Sequence, residues 1–172
     1  RHIPKTKFLA GNADFALGIV TGNNKKYISS VKNKDNEVIL KGSDIFKYHT
    51  NPNSNYIVFN PQNFQQVAPI EMYRAPEKLL YRFISSQLVF AYDDKQTLSL
   101  NSCNVVIPKL EGLHIKYILA ILNSRIAQFI YKMEFHSVKV LRSHIENIPI
   151  PDVNAGMQNS IIQAVEPLIN GL

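Results

Sequence analysis

Residues 115–133 read IKYILAILNSRIAQFIYKM, and within them Ile115, Ile118, Leu119, Leu122, Ile126, Phe129, Ile130 and Met133 fall on one broad helical stripe. The spacing predicts a single long helix, and the unbroken stripe predicts that it is packed as core. Lys116, Arg125 and Lys132 interrupt the run, so it reads as a buried amphipathic helix of a soluble protein and not as a membrane span. Upstream of Gly112 the period is different: 15–21, 27–30, 37–40, 56–59, 88–92 and 104–108 read as short strands between Asn, Gly, Ser and Pro clusters. Segment 77–85 sets Leu79, Leu80 and Phe83 at helix-like intervals but is too short for periodicity to separate helix from strand. Downstream, Pro149 and Pro151 enforce an extended stretch. Asn154 or Asp152 then caps a second helix carrying Ile161, Ile162, Val165 and Leu168. The expected fold is α+β: a mixed or antiparallel sheet over most of residues 1–152, closed by the long packed helix, and a C-terminal helix at 153–172 that is either a spacer or docked on the domain.

The 172 residues, 45% hydrophobic and 19% charged, suffice for a compact domain with a real core and exclude general disorder. Cys103, the one cysteine, cannot close an internal disulfide, and no Cys/His cluster has zinc-ligand spacing, so a reducing cytoplasm is the expected compartment and no metal site is assigned. The start at Arg1, without an initiator methionine or a signal-peptide core, leads us to expect a segment of a longer protein. The net charge of +6 is lopsided: residues 1–50 carry nine Lys/Arg against four Asp/Glu, whereas residues 111–172 carry five of each. A basic front and a pI near 9.4 suit an anionic partner such as nucleic acid, although a solvated lysine surface is the blander account.

A nucleotide- or cofactor-binding enzyme would need a glycine-rich turn after a strand, and the seven glycines form neither GxGxxG nor GxxxxGK[ST]. GIVTG at 18–22 leads into Asn23, Asn24, Lys25 and Lys26, a turn. The five histidines are scattered, and no catalytic residue is assigned. One catalytic pattern stands as an alternative: Pro76-Glu77 with Asp93-Asp94-Lys95 resembles the clustered carboxylates and lysine of Mg²⁺-dependent nucleases. A strand ending in an acidic turn explains these residues equally well. A protein-interaction module is the other alternative.

Read in order, GIVTGNN at 18–24, KGSDIFKY at 41–48, YIVF at 56–59, EKLLYRFISSQLVFAYDDKQTLSLNS at 77–102, IKYILAILNSRIAQFIYK at 115–132 and LRSHIENIPIPD at 141–152 resemble the C-terminal specificity domain of Taq-type DNA adenine methyltransferases. That domain is similar to the target recognition domains of type I specificity subunits. The resemblance implies a module that reads duplex DNA within a bacterial restriction-modification methyltransferase of type II/IIG or type I-like organisation. The catalytic domain, with its S-adenosylmethionine site and Asn/Asp-Pro-Pro-Tyr/Phe loop, would lie elsewhere in the same or an associated polypeptide. Here Asn51-Pro52-Asn53-Ser54 and Asn60-Pro61-Gln62-Asn63 lack the second proline and the aromatic, so this chain is expected to be non-catalytic and to bind no cofactor.

Residue chemistry then sorts the candidates. Asn23, Lys25 and Lys26, with Lys41, Lys47, Lys78 and Arg82, are suited to phosphates. Arg74, Asp94, Lys95, Gln96 and Asn24 carry the vocabulary of base reading: Arg and Lys for guanine, Asn and Gln for adenine, Asp for cytosine. Asp93 to Asn101 reads as a hairpin whose tip, at Lys95 and Gln96, would enter the major groove. Gly42 and Asp44 read as structural, a tight turn and a cap.

Overall fold

The structure, a computed structural model, describes residues 5–172, so Arg1 and its three successors lie outside it. The elements run β1 (Thr6–Lys7), β2 (Ala13–Ala16), α1 (Asn24–Tyr27), β3 (Ile28–Ser29), β4 (Glu37–Leu40), β5 (Tyr56–Ile57), α2 (Ile70–Tyr73), β6 (Lys78–Arg82), β7 (Phe90–Asp93), β8 (Leu98–Ser99), β9 (Cys103–Pro108), α3 (Ile115–Leu122), α4 (Arg125–Glu134), α5 (Arg142–Glu146), β10 (Ile150–Pro151) and α6 (Ala155–Ile169). Short 3-10 turns occupy Gly42–Asp44 and Pro61–Asn63. The fold is α+β.

A central antiparallel sheet of order β2-β9-β6-β7 is buried on both faces. Strand alternation divides it between two cores. Leu79, Tyr81, Phe90 and Val106 face a cluster with Tyr117, Ile118, Leu122 and Tyr131 of the helices, whereas Leu80, Ala91, Val105 and Cys103 face Ile39, Leu40, Ile57 and Leu98. The latter belong to a second sheet, β3-β5-β4-β8, in which β4 and β8 run parallel and the other pairs antiparallel. The layers are therefore helices, central sheet and second sheet. A third, two-stranded pairing of β1 with β10 ties the front of the chain to the segment after α5.

Three expectations need correction and one open reading resolves. Segment 77–85 contains the strand β6 (Lys78–Arg82), which lies in a sheet covered on both faces, and Leu79, Leu80 and Tyr81 supply apolar side chains to both. The long helix is two helices. The side chain of Asn123 turns inward to pair with both the N–H and the carbonyl of Phe90 (3.0 and 2.9 Å), and the Ser124 hydroxyl accepts the N–H of Ala127 (3.1 Å) as the cap of α4. Its stripe is not all core either: Ile126, Phe129 and Met133 are 73, 65 and 66% exposed, while Ala127 and Tyr131 are the buried face. Segment 15–21 leaves its sheet at Ala16. At Gly18 the chain passes so close to the β8–β9 turn that a Cβ would lie 2.0 Å from the Leu100 carbonyl oxygen. Finally, 93–101 is no hairpin, since β7 and β8 belong to different sheets and Asp93 to Leu98 is the crossing between them. The expected C-terminal helix is α6, capped by Asn154 and packed against α3.

Candidate nucleic-acid interface

β3 is the outer strand of the second sheet, and lysines bracket it. On its N-terminal side, where a turn was expected, Asn23 Oδ1 accepts the Lys26 N–H (3.2 Å), and this cap winds residues 24–27 into the single turn α1, so the strand expected at 27–30 begins at Ile28. Lys25 and Lys26 thereby stand exposed just before β3. On its other side the loop back to β4 carries Lys32 and Lys34, held in shape by Asn33 and Asn36, whose side chains accept each other's backbone N–H groups at 2.9 Å. Lys25, Lys26, Lys32, Lys34 and Lys41 are all exposed, and none has a carboxylate at ion-pair distance among the described residues. Sequence reasoning missed Lys32 and Lys34. Their signal was the alternation of charge and amide in KNKDN, the composition of an exposed turn between two strands.

The other candidates separate into free and committed side chains. Asn24, Asp94 and Lys95 are exposed, although the Asn24 Oδ1 already accepts the Thr21 hydroxyl. Arg74 and Gln96 are brought together, but into each other. Arg74 spreads both Nη atoms over the Glu37 carboxylate (2.7 and 2.9 Å) and also donates to the Gln96 carbonyl (2.8 Å), while Gln96 returns its amide to the Arg74 carbonyl (2.9 Å). Glu37 holds the guanidinium above its ordinary pKa by that bidentate bond, and the ring of Phe59 lies 5.2 Å beneath it. The fork that would pair with guanine is thus filled, and Arg74 positions the 93–97 crossing. Gln96, at φ +54°, is part of the same clasp.

Lys78 is withdrawn as a phosphate contact, because it is fully buried with Nζ bonded to Asp93 (2.6 Å) and to the Tyr73 carbonyl (2.7 Å). Lys47 donates to the Asn123 carbonyl at 3.3 Å, and Arg82 anchors its Nε on two carbonyls. The nuclease pattern is taken apart by the same contacts. Asp93 spends its oxygens on Lys78, on the Thr97 N–H (3.0 Å) and on the Thr97 hydroxyl (2.7 Å), Glu77 is bonded by the Tyr92 hydroxyl, and Lys95 stands apart on the surface. Among the described residues no three His, Cys, Asp or Glu side chains are grouped to hold a metal ion, and no helix is long and apolar enough to cross a membrane.

Residues 37–150 match the family described as TaqI-like C-terminal specificity domain, and the chain belongs to that family. No protein of curated function matches the sequence. The fold is shared with a chain of a type I R-M system solved to explain its complex assembly and conformational transition (15% identity, TM-score 0.62, 99% of this chain and 40% of that one). It is also shared with the HsdS subunit from Thermoanaerobacter tengcongensis (13%, 0.58, 97% and 37%). A third is the type IIL restriction-modification enzyme MmeI, solved in complex with DNA (11%, 0.62, 98% and 29%). The chain spans less than half the length of each.

Proposed function

We propose that this chain is a target-recognition module for duplex DNA, which holds a site for an adenine methyltransferase domain in the same or an associated polypeptide. The observation that carries the reading is the lysine-bracketed edge of β3 on a specificity-domain fold: uncompensated cations on both sides of one edge strand suit the negative charge of a duplex backbone. The module supplies no reacting group and takes no cofactor; S-adenosylmethionine belongs to the catalytic partner. Extruding a base demands a grip on the duplex from both sides, and this domain is one of the two jaws. Lys25, Lys26, Lys32 and Lys34 set general affinity, and Lys41, which follows β4, adds a further exposed cation. Asp94 and Lys95 are the side chains free to reach base edges, and Asn24 keeps its amide N–H groups for the same use.

The test is binding of a random-sequence duplex across a salt series. Four phosphate contacts give a log–log slope of roughly −3.6, and Lys26→Ala should make it shallower by about one. Binding that is absent at low salt, or unchanged as salt rises, overturns the reading.

A further inference from the structure

Arg82 ends β6 and lines a surface cleft of about 320 Å³ together with Gly42, Ser43, Ile84 and Ser102. Its guanidinium is fixed without a carboxylate. Nε donates to the carbonyls of Gly42 (3.1 Å) and Ile45 (2.8 Å), and the group lies 5.5 Å from the ring centre of Phe46, which stacks in turn on His49 with 12° between the rings. Arginine carries five donors in a rigid fork. The four on the two Nη atoms have no hydrogen-bond partner among the described residues, and no carboxylate pairs with them. A guanidinium held this way has lost its conformational freedom yet keeps most of its donors.

The rest of the cleft has the same polarity. Ser102 Oγ accepts the Gly42 N–H at 3.0 Å, which leaves its own proton for an acceptor from outside. Ser43 is exposed at the rim, and Lys41 stands exposed one residue before Gly42. Asp44, the carboxylate of this turn, is buried and faces inward to accept the Lys41 N–H at 2.8 Å, so it does not neutralise the cleft. The close approach requires Gly42, where a Cβ would meet the Ser102 carbonyl oxygen at 2.5 Å. A fixed guanidinium with unused donors, two serine hydroxyls and no carboxylate in the lining are the chemistry that suits a tetrahedral oxyanion.

We infer that Arg82, Ser43 and Ser102 form a clip for one phosphodiester group of the bound duplex. This inference rests on the DNA-binding reading and adds a fixed point to it. The lysines of the β3 edge are flexible point charges that accept a phosphate over a range of positions, whereas a guanidinium immobilised before DNA arrives accepts it at one position. A contact of that kind sets the register of the module on the duplex.

The experiment compares Ser43→Asp with Ser160→Asp, two exposed positions that receive the same charge, the second on α6. In binding to a random-sequence duplex, Ser43→Asp should raise the Kd about fivefold more than Ser160→Asp, the effect of one unit charge at ~4 Å in water. Arg82→Gln should flatten the salt slope by about one. Because Arg82→Gln also removes the anchor on two carbonyls, the Ser43/Ser160 comparison decides if that variant fails to fold. A separate titration with inorganic phosphate follows the Arg82 Nε–H signal by NMR. Salt-dependent binding by the parent chain, with equal Kd for the two Asp variants and an unchanged Arg82→Gln slope, overturns the clip and leaves the DNA-binding reading standing. A phosphate-induced shift at Arg82 alongside those unchanged DNA readouts would make the cleft a site for a free anion and overturn the assignment to DNA. No binding by the parent chain overturns both.

Discussion

Lys78 and Asp93 make the point that a charged residue in a strand has two possible fates. They face each other across the β6–β7 pair, both almost without solvent exposure, at 2.6 Å. In the sequence Lys78 looks no different from Lys25 or Lys41. The distinguishing signal is register: with 78–81 antiparallel to 90–93, Lys78 falls opposite Asp93, and local pattern does not fix that register, because the length of the connection between the two strands sets it. Burial pushes the Lys78 ammonium below the usual lysine range, with the Asp93 charge opposing. Asp93→Asn keeps the shape and removes the counter-charge, so it should cost about 3–5 kcal/mol at neutral pH. A lysine whose folded pKa lies below its unfolded value leaves the unfolded chain holding more protons between the two, so stability rises with pH across that window. Losing Asp93 lowers the folded value further and widens the window downward. Urea unfolding between neutral and alkaline pH should show the variant recovering part of its deficit as pH climbs. A deficit that is the same at every pH would mean that the strain is not in the lysine charge.

At the scale of the element, the α3–α4 break shows what a hydrophobic stripe reports and what it leaves out. The period of 3.6 runs through Asn123-Ser124 without interruption in the sequence, although the two helices do not bury the same stripe. The break was written in residue type: Asn followed by Ser is a cap signal, and here Ser124 caps the Ala127 N–H that a continuous helix would bond internally, while Asn123 turns to the Phe90 backbone of β7. Once the second helix turns away, part of the stripe no longer faces the core. Ile126→Ser and Met133→Ser should each change stability by less than about 0.5 kcal/mol, whereas Ala127→Leu, on the buried side of the same helix, should cost about 1–3 kcal/mol by overpacking. Denaturant midpoints for the three variants measure this. A large loss from Ile126→Ser would show that α4 packs through the face that the structure leaves open.

The scale of the whole molecule is where the sequence was least legible. The strand boundaries at 37–40 and 104–108 could be read from local pattern, but their assignment to two sheets could not. The parallel pairing of β4 with β8 joins Ile39 to Leu98 with no local signal between them, and the polar–apolar alternation of DDKQTLSLN suits a crossing as well as a hairpin. That difference moved Gln96 from an expected loop tip into a clasp with Arg74. The place of α6 was likewise open between spacer and docked helix, and in the structure specific contacts hold it against the domain. Gln158, buried in the second turn, accepts the His114 N–H (2.8 Å) and donates to the carbonyls of Gly112 (2.8 Å) and Val153 (3.0 Å), while Ile161, Ile162 and Ile169 pack on the helical core. The single amide thus satisfies the loop before α3 and the entry to α6 together. Gln158→Ala should cost about 1–3 kcal/mol, because it strands buried backbone groups and not merely one bond. Glu166→Ala, which removes the partly exposed ion pair to Lys116 at 2.6 Å, should cost less than about 1 kcal/mol once solvent screening is counted. Amide exchange separates a docked helix from a spacer more directly than a midpoint does. In the parent chain the N–H of His114 should be protected by the Gln158 carbonyl oxygen, and Gln158→Ala should expose it while the β6–β9 amides remain slow. Fast exchange at His114 in both proteins would mean that α6 does not stay on the domain, and that the helical core ends at α5.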